Sequence, residues 1–336
     1  KCMGSAGEPL FLDVSSVISN SERAGKVTVI GGRYGLSSKD TDTAQIVAVF
    51  RNLASSEPKR GFTIGINDDV TNLSLPVQPL DDFKDADTYS CKFWGLGGDG
   101  TVGANHNTIR ILGDCADLFA QAYFEYDSKK SFGVTKSHLR LSKKPIRSTY
   151  YVKRADFVAC HNQSYVRQYD MVQEVKPGGT FLLNTGWTAE ELDTNLPGAM
   201  KRYIASNGIR LFTVDAVEIA HRVGLGSHIN TVLQAAFFKI SGLMPVEQAL
   251  DYMKDAARKS YARKGDAVVT SNVAAIEEGA QKCVEVAVPA SWANAELDEL
   301  GGDEGLPAVV TNILRPVNAQ KGDELPVSAF AGYEDG

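Results

Sequence analysis

The stretch FWGLGGDGTVGANHNTIRILGD, residues 93–114, decides the fold, because an apolar run, a glycine-rich turn and a helical pattern follow one another in it. Gly95, Gly97 and Gly100 match the spacing G-x-G-x-x-G. Glycine lets the backbone approach a phosphate closely, and the free N–H groups at a helix start attract anions. A lone match to this spacing is weak. The stretch therefore predicts either an anion-binding loop or simply a tight strand-to-helix turn.

A second candidate strand, FAQAYFEYD at 119–127, follows the glycine loop and ends at Asp127. In a dinucleotide-binding unit an acidic residue at this place binds the ribose. Here Ser128, Lys129 and Lys130 come directly after it, and two cations with a hydroxyl suit a phosphate better than a bare ribose diol. Two adjacent lysines are as often a solvated pair. No Walker A spacing is present. The residues alone predict a ligand with two separated phosphate groups, which fits NADP and coenzyme A alike.

Short apolar runs alternate with helical stretches, which predicts an α/β fold of two three-layer units with largely parallel sheets and a helical C-terminal part. We predict strands at 26–32, 61–66, 91–97, 119–127, 155–161, 179–185 and 210–216. We predict helices at 42–54, 101–112, 245–263 and 272–288. The polar stretch 67–87 carries two prolines and predicts a loop with a domain boundary near 85–90. The expected division is 1–88, 89–288 and a linker at 289–336.

Composition excludes several classes of protein. The hydrophobic share of 43% and charged share of 23% are those of a globular protein, and the net charge of −6 disfavours nucleic acid or an anionic membrane as partner. No apolar run is long enough to span a bilayer. The chain has five cysteines: Cys2, Cys91, Cys115, Cys160 and Cys283. They are dispersed and never form C-x-x-C, which predicts reduced thiols in the cytoplasm and no metal site. The five histidines lack ligand spacing, and no G-x-S-x-G nucleophile elbow occurs, so catalytic residues stay unknown.

Six stretches, taken together and in this order, resemble the pyruvate:ferredoxin (or flavodoxin) oxidoreductase family. They are GRYGLSSKD (32–40), FWGLGGDGTVGAN (93–105), YDSKKSFGVTKSHLR (126–140), ADFVACHN (155–162), GGTFLLN (178–184) and DELPVSAF (323–330). The resemblance covers essentially the whole chain and implies an internal fragment of that long enzyme. It implies the end of a transketolase-C-like, Rossmann-like domain at 1–88, the gamma-type coenzyme A domain at 89–288, and a linker toward a ferredoxin-like domain at 289–336.

The resemblance also implies an activity for the full enzyme, which oxidises pyruvate with coenzyme A to acetyl-CoA and CO2 in anaerobic metabolism. Electrons pass to ferredoxin or flavodoxin. Thiamine diphosphate, Mg²⁺ and [4Fe–4S] clusters belong to other parts of the enzyme, which is expected to be a cytoplasmic homodimer, and this segment alone is expected to be inactive. Its own role would be to bind and orient coenzyme A.

The coenzyme A contacts implied by the resemblance fall on a loop and three further residues: Gly97, Gly98, Asp99, Gly100, Thr101, Lys129, Asn230 and Asn272. Gly98 replaces the usual serine, and Ser227-His228 replace a usual Gly-Arg pair, which removes a hydroxyl and a cation. The two asparagines are equally suited to be helix N-caps. Two other functions stay open, an NADP-binding dehydrogenase domain and a non-catalytic docking module.

Overall fold

The computed structural model describes residues 6–35, 39–80, 87–127, 132–298, 302 and 304–333. The chain forms two compact units, Lys1–Lys84 with Gly301–Gly336, and Asp85–Leu300. Each unit is described by itself. Neither contains, among these residues, a helix with the length and apolar character needed to cross a membrane.

The smaller unit contains, among its described residues, three α-helices and a very short sheet. Helix α1 is Pro9–Ser19, strand β1 is Gly32–Arg33, helix α2 is Thr43–Leu53 and strand β2 is Phe62–Thr63, with β1 and β2 parallel. The unit also holds a π-helical turn at Val310–Leu314 and a last helix at Arg315–Asn318. The predicted helix at 42–54 is confirmed, and the Asp42 side chain caps it by accepting a hydrogen bond from Gln45 N.

The long strands predicted at 26–32 and 61–66 are wrong, since the paired strands are only Gly32–Arg33 and Phe62–Thr63. A strand needs neighbours that cover its faces and satisfy its backbone groups. The described part of this unit offers a small core of Ala48, Phe62, Ile64 and Leu75, and Val27 is 47% exposed. The apolar run at 26–32 therefore has no sheet to join.

The larger unit is built on a seven-stranded sheet. Its strands are β3 (Thr88–Leu96), β4 (Phe119–Tyr126), β5 (Val134–Ser142), β6 (Ala155–Cys160), β7 (Val175–Asn184), β8 (Arg210–Val214) and β9 (Val284–Val286). They lie in the order β4-β5-β3-β6-β7-β8-β9. Neighbours from β3 to β8 are parallel, whereas β4–β5, β5–β3 and β8–β9 are antiparallel. Only β5 and β9 therefore run against the other strands.

Helices cover both faces of this sheet. They are α3 (Thr101–Cys115), α4 (Ala189–Asn195), α5 (Gly198–Ser206), α6 (Ala216–Arg222), α7 (Asn230–Ser241), α8 (Val246–Tyr261) and α9 (Asp266–Lys282). On one face α3 and α6 to α9 bury Phe157, Leu182 and Phe212. On the other face α4, α5 and several 3₁₀ turns bury Val158 and Phe181. The predicted α/β class with a mostly parallel sheet is confirmed.

Three local predictions in this unit need correction. Strand β5 was not predicted at all. The stretch 272–288 is not one helix, because α9 ends at Lys282 and β9 pairs with β8. Pro245 is the N-cap of α8 and not its first residue, and α8 gives way to a 3₁₀ turn at Ala262–Lys264. The strands predicted from 91–97, 119–127, 155–161, 179–185 and 210–216 are confirmed.

The connections place a crevice beside β3. After β3 the chain passes through α3 to β4 and β5 on one side, then returns to β6 on the other side. In open α/β sheets, loops that leave adjacent parallel strands in opposite directions leave a crevice at the carboxyl ends of those strands. The glycine-rich loop follows β3 at this point.

Candidate functional site

A cleft of about 1320 Å³ lies at the carboxyl ends of the parallel strands. Its walls come from the loops that follow four strands: 96–102 after β3, 161–163 after β6, 184–187 after β7, and Asp215 after β8. The segment 227–229, which leads into α7, closes another side. The cleft therefore lies where the strand order predicts it, and the predicted anion loop forms one wall.

The loop between β3 and α3 is held in shape by its own acidic residue. The Asp99 carboxylate accepts hydrogen bonds from Leu96 N at 2.8 Å and from Thr101 N at 2.7 Å. Gly97 N donates to Gly133 O at 2.7 Å. The Asp99 side chain therefore holds the loop by binding the backbone N–H groups on both sides of it, while Gly100 is the N-cap residue of α3.

Several N–H groups in this loop remain available. Gly98, Gly100, Val102 and Gly103 donate to no partner among the residues that the structure describes. They surround the first turn of α3, a helix of 15 residues whose N-terminus carries partial positive charge. This arrangement is suited to bind an anion.

Glycine is required at two points in the loop. Gly98 and Gly100 have φ angles of 94° and 86°, in the left-handed region that favours glycine. A Cβ at Gly100 would lie 3.1 Å from the Asn230 side chain, whereas a Cβ at Gly98 would meet open space. A serine at position 98 would thus have room but a strained backbone. The contact also shows that Asn230 lies beside the loop, as the first residue of α7.

Thr101 is hydrogen-bonded to a histidine that the sequence did not indicate as a site residue. Thr101 Oγ1 and His161 Nδ1 are 2.7 Å apart, and both residues are buried. Burial lowers the pKa of His161, against the opposing charge of Asp99, so the ring is neutral near pH 7. The available signal was its place at the end of a predicted strand, where parallel strands carry functional groups.

Buried hydrogen bonds tie the neighbouring strand ends together behind the cleft. His161 N donates to Trp94 O at 2.9 Å, and Asn184 Nδ2 donates to His161 O at 2.8 Å. Asn184 Oδ1 accepts from Ala216 N at 2.9 Å, at the start of α6. The loops after β3, β6, β7 and β8 are therefore held in a fixed mutual position.

The other predicted ligand residues are placed differently. Asn272 is buried in the middle of α9, where its Nδ2 donates to Val268 O at 2.8 Å and its Oδ1 accepts from the Thr231 hydroxyl at 3.3 Å. Asn272 is not among the residues that line the cleft. Neither asparagine is a helix N-cap, since Ile229 precedes α7 and Gly265 precedes α9. Lys129 lies outside the described residues.

The described lining carries four carboxylates, Asp99, Asp127, Glu191 and Asp215, and contains no described Lys or Arg. Three of them serve helix starts: Asp99 binds Thr101 N, Glu191 binds Thr188 N at 2.8 Å, and Asp215 binds Glu218 N at 2.9 Å. Helix N-termini offset negative charge of this kind. Attraction for an anion in the described part of the cleft therefore comes from backbone N–H groups.

A family model described as pyruvate ferredoxin/flavodoxin oxidoreductase matches residues 90–282, and a model described as a domain of unknown function matches 300–336. The pyruvate:ferredoxin oxidoreductase of Moorella thermoacetica is 50% identical over 97% of this chain and 28% of its own length. The pyruvate-flavodoxin oxidoreductase of Enterobacter agglomerans is 49% identical over 99% of this chain and 28% of its own length.

Other similar proteins are more distant. The mitochondrial pyruvate dehydrogenase [NADP(+)] of Euglena gracilis is 45% identical over 96% of this chain and 18% of its own length. The solved pyruvate oxidoreductase subunit PORC of Thermotoga maritima is 17% identical, with a TM-score of 0.48 over 59% of this chain and 98% of that one. The chain spans less than a third of the length of the curated relatives named here.

Proposed function

The chain belongs to the pyruvate ferredoxin/flavodoxin oxidoreductase family, and from that premise we propose that its larger unit binds and orients coenzyme A. The full enzyme would convert pyruvate and coenzyme A to acetyl-CoA and CO2, and would pass two electrons to ferredoxin or flavodoxin. The names of the Moorella and Enterobacter relatives support this reaction and these acceptors. We further propose that the full enzyme is a cytoplasmic homodimer.

The observation that carries the proposal is the glycine loop at the start of α3. Four N–H groups with no partner in the described structure lie around the first turn of a 15-residue helix, in a cleft large enough for a nucleotide-sized ligand. A pyrophosphate is the anion that this loop would hold. The 3′-phosphate of coenzyme A would then need a cationic side chain, and Lys129 is our candidate for it.

The residues of this chain would bind and position the ligand. We assign the N–H groups of Gly98, Gly100, Val102 and Gly103 to the pyrophosphate, with Gly97 and Thr101 beside it and Asp99 fixing the loop. Asn230 lies close enough to Gly100 to contact the same group.

Asn272 would act indirectly, because its hydrogen bond with Thr231 stabilises the start of α7. The neutral His161 would fix the orientation of the Thr101 hydroxyl. Firm positioning of a thiol substrate lowers the entropy cost of its reaction.

Thiamine diphosphate, Mg²⁺ and the [4Fe–4S] clusters would supply carbanion chemistry and electron transfer from other parts of the polypeptide. The described residues include no group of three or more His, Cys, Asp or Glu side chains that could hold a metal ion. The described residues thus do not fit a metal cofactor. We assign to them binding and orientation alone, and propose that this segment is inactive by itself.

The dinucleotide alternative is weakened by the sheet order. In a dinucleotide-binding unit the acidic ribose ligand ends the strand next to the glycine-loop strand. Asp127 follows β4, and β5 separates β4 from β3. An NADP site would therefore need a different ribose contact.

Calorimetry with the 336-residue chain tests the proposal. Coenzyme A should bind, and Gly100→Ala and Lys129→Ala should each weaken it by about 1–3 kcal/mol, through loop strain and loss of a charge-assisted hydrogen bond. Gly113→Ala and Lys259→Ala are the matched controls and should leave affinity unchanged. Tight NADP binding without coenzyme A binding would contradict the proposal, and binding of neither ligand would favour a docking module.

A further inference from the structure

The cleft extends well beyond the glycine loop. The loops after β7 and β8 lie two and three strands away from β3, which corresponds to about 10 and 14 Å at the usual strand spacing. A phosphate held at the start of α3 cannot reach them. The far wall, defined here as Gly186, Trp187 and Asp215, is thus free to contact another part of the same ligand.

An aromatic ring forms the centre of the far wall. Trp187 lines the cleft and also packs against the apolar core below it. Its backbone N donates to Thr185 Oγ1 at 3.2 Å, and that hydroxyl donates to Gln163 Oε1 at 2.8 Å. The indole is therefore a half-buried, rigidly supported surface, whereas the other two tryptophans, Trp94 and Trp292, are buried.

An acceptor atom lies beside this ring. Asp215 uses Oδ1 to accept from Glu218 N, and Oδ2 has no partner among the residues described by the structure. A Cβ on Gly186 would lie 2.4 Å from Oδ2, so a glycine is needed at position 186 to leave the carboxylate in place. The wall thus presents an aromatic face next to one carboxylate oxygen.

We infer that the far wall is a purine subsite that selects adenine. Trp187 stacks on the base, and Asp215 Oδ2 accepts a hydrogen bond from its exocyclic amino group. A carboxylate repels a phosphate or a thiolate, so an N–H donor is the group that suits it. The inference rests on the proposed function, since the base would belong to the coenzyme A whose pyrophosphate binds at the glycine loop.

Tryptophan fluorescence gives the first test. The 336-residue chain is titrated with coenzyme A, adenosine 3′,5′-bisphosphate and 4′-phosphopantetheine. The first two should quench emission and the third should not, and Trp187→Phe should abolish the quench. By calorimetry, Trp187→Ala should weaken coenzyme A roughly 5–150-fold, the usual range for loss of a base-stacking partner.

Base selectivity gives the second test. The wild-type chain should bind coenzyme A at least about tenfold tighter than its deaminated analogue, because a hypoxanthine carbonyl would face the carboxylate. Asp215→Asn should bring this ratio below one, since the amide Oδ1 would still cap α6 and the Nδ2 group would donate to that carbonyl but face the amino group of adenine. Asp251→Asn, on the exposed side of α8, is the control and should leave the ratio unchanged.

The outcomes separate this inference from the proposed function. Quenching by 4′-phosphopantetheine alone, or coenzyme A binding without a change in Trp187 emission, would overturn the purine subsite. If coenzyme A does not bind but ADP still quenches Trp187, the subsite stands and the proposed function fails. If no adenine compound binds, both are overturned.

Discussion

The two halves of the seven-stranded sheet are stabilised in different ways. In the parallel half, β6 and β7 bury apolar side chains on both faces of the sheet, with Phe157 on one face and Val158, Phe181 and Leu183 on the other. In the antiparallel half, β5 buries the side chains of His138 and Arg140 among its apolar ones. The stability of the parallel half therefore depends on apolar packing, and that of the antiparallel half depends on the pairing of charged side chains.

The charges of the antiparallel half lie close to those around β3, because Lys136 Nζ of β5 is 4.9 Å from the centre of the Trp94 ring of β3. Lys92 forms an ion pair with Glu174, which also accepts from Trp94 Nε1 at 2.9 Å. Glu125 on β4 accepts from Lys136 Nζ at 2.8 Å and lies 3.3 Å from His138 Nε2. The strand that carries the glycine loop therefore has an apolar neighbour on one side and an ionic neighbour on the other.

Phe157→Ala should have the largest effect, because it opens a cavity in the parallel half. The Phe157 ring lies 5.6 Å from Phe93 and 5.0 Å from Phe237, centre to centre, and is fully buried. We expect the free energy of unfolding to fall by about 3–5 kcal/mol, measured by urea denaturation. Phe119→Ala, on the exposed side of β4, should cost less than about 1 kcal/mol. Equal costs would mean that packing does not distinguish the halves.

Glu174→Gln should cause the next largest loss of stability, because it leaves the Lys92 ammonium buried without its counter-charge. We expect a loss of about 2–4 kcal/mol in unfolding free energy. The double variant Lys92→Met/Glu174→Gln should recover most of it. Glu285→Gln breaks the exposed pair with Arg210 and should cost no more than about 0.5 kcal/mol. If the two glutamate variants lose the same unfolding free energy, the buried pair stabilises the protein no more than the exposed pair does.

Acid should weaken the antiparallel half selectively. Although burial raises the pKa of Glu125, its hydrogen bonds to His138 and Lys136 outweigh it and hold the pKa near 2, below the ordinary 4.5. Since the unfolded chain takes up the proton first, the stabilisation is complete above about pH 4.5 and is lost as pH falls toward 2. Burial also lowers the pKa of His138, so its contribution declines below about pH 6.5.

Glu125→Gln should therefore flatten the acid limb of a plot of unfolding free energy against pH. The expected difference between pH 4.5 and pH 2 is about 1–3 kcal/mol. Glu247→Gln, exposed on α8, should leave the limb as it is. An unchanged limb in Glu125→Gln would show that the acid sensitivity originates elsewhere in the protein.

The sequence predicted the strands of the parallel half and also β4, but it did not predict β5, and one physical reason explains both outcomes. Apolar runs such as 155–161 are buried on both faces and are easy to recognise. Strand β5 does alternate, with Lys136, His138 and Arg140 on one face, but charged residues at alternate positions usually indicate solvent. Their burial depends on Glu125 and other groups distant along the chain, which a local pattern cannot reveal.

At the candidate site, the sequence predicted the glycine loop but not the side chains on the neighbouring strand ends that lie around it. Gly97 to Thr101 lie on the cleft, and Asn230 lies beside them. His161 and Asp215 were missed, because each acquires its role from strands brought together only by the fold. All the ligand assignments, from Gly97 to Thr101 as well as Lys129, Asn230 and Asn272, stay predictions.

The central position of β3 also has a consequence for synthesis on the ribosome. Its two neighbours, β5 and β6, begin at residues 134 and 155, whereas β3 ends at residue 96. At a translation rate of about 5–20 residues per second, β3 waits several seconds for its second neighbour. Phe93 and Trp94 stay without their sheet partners during this time, so the nascent chain is expected to need chaperones here. The glycine loop then acquires its final shape only after β6 has emerged.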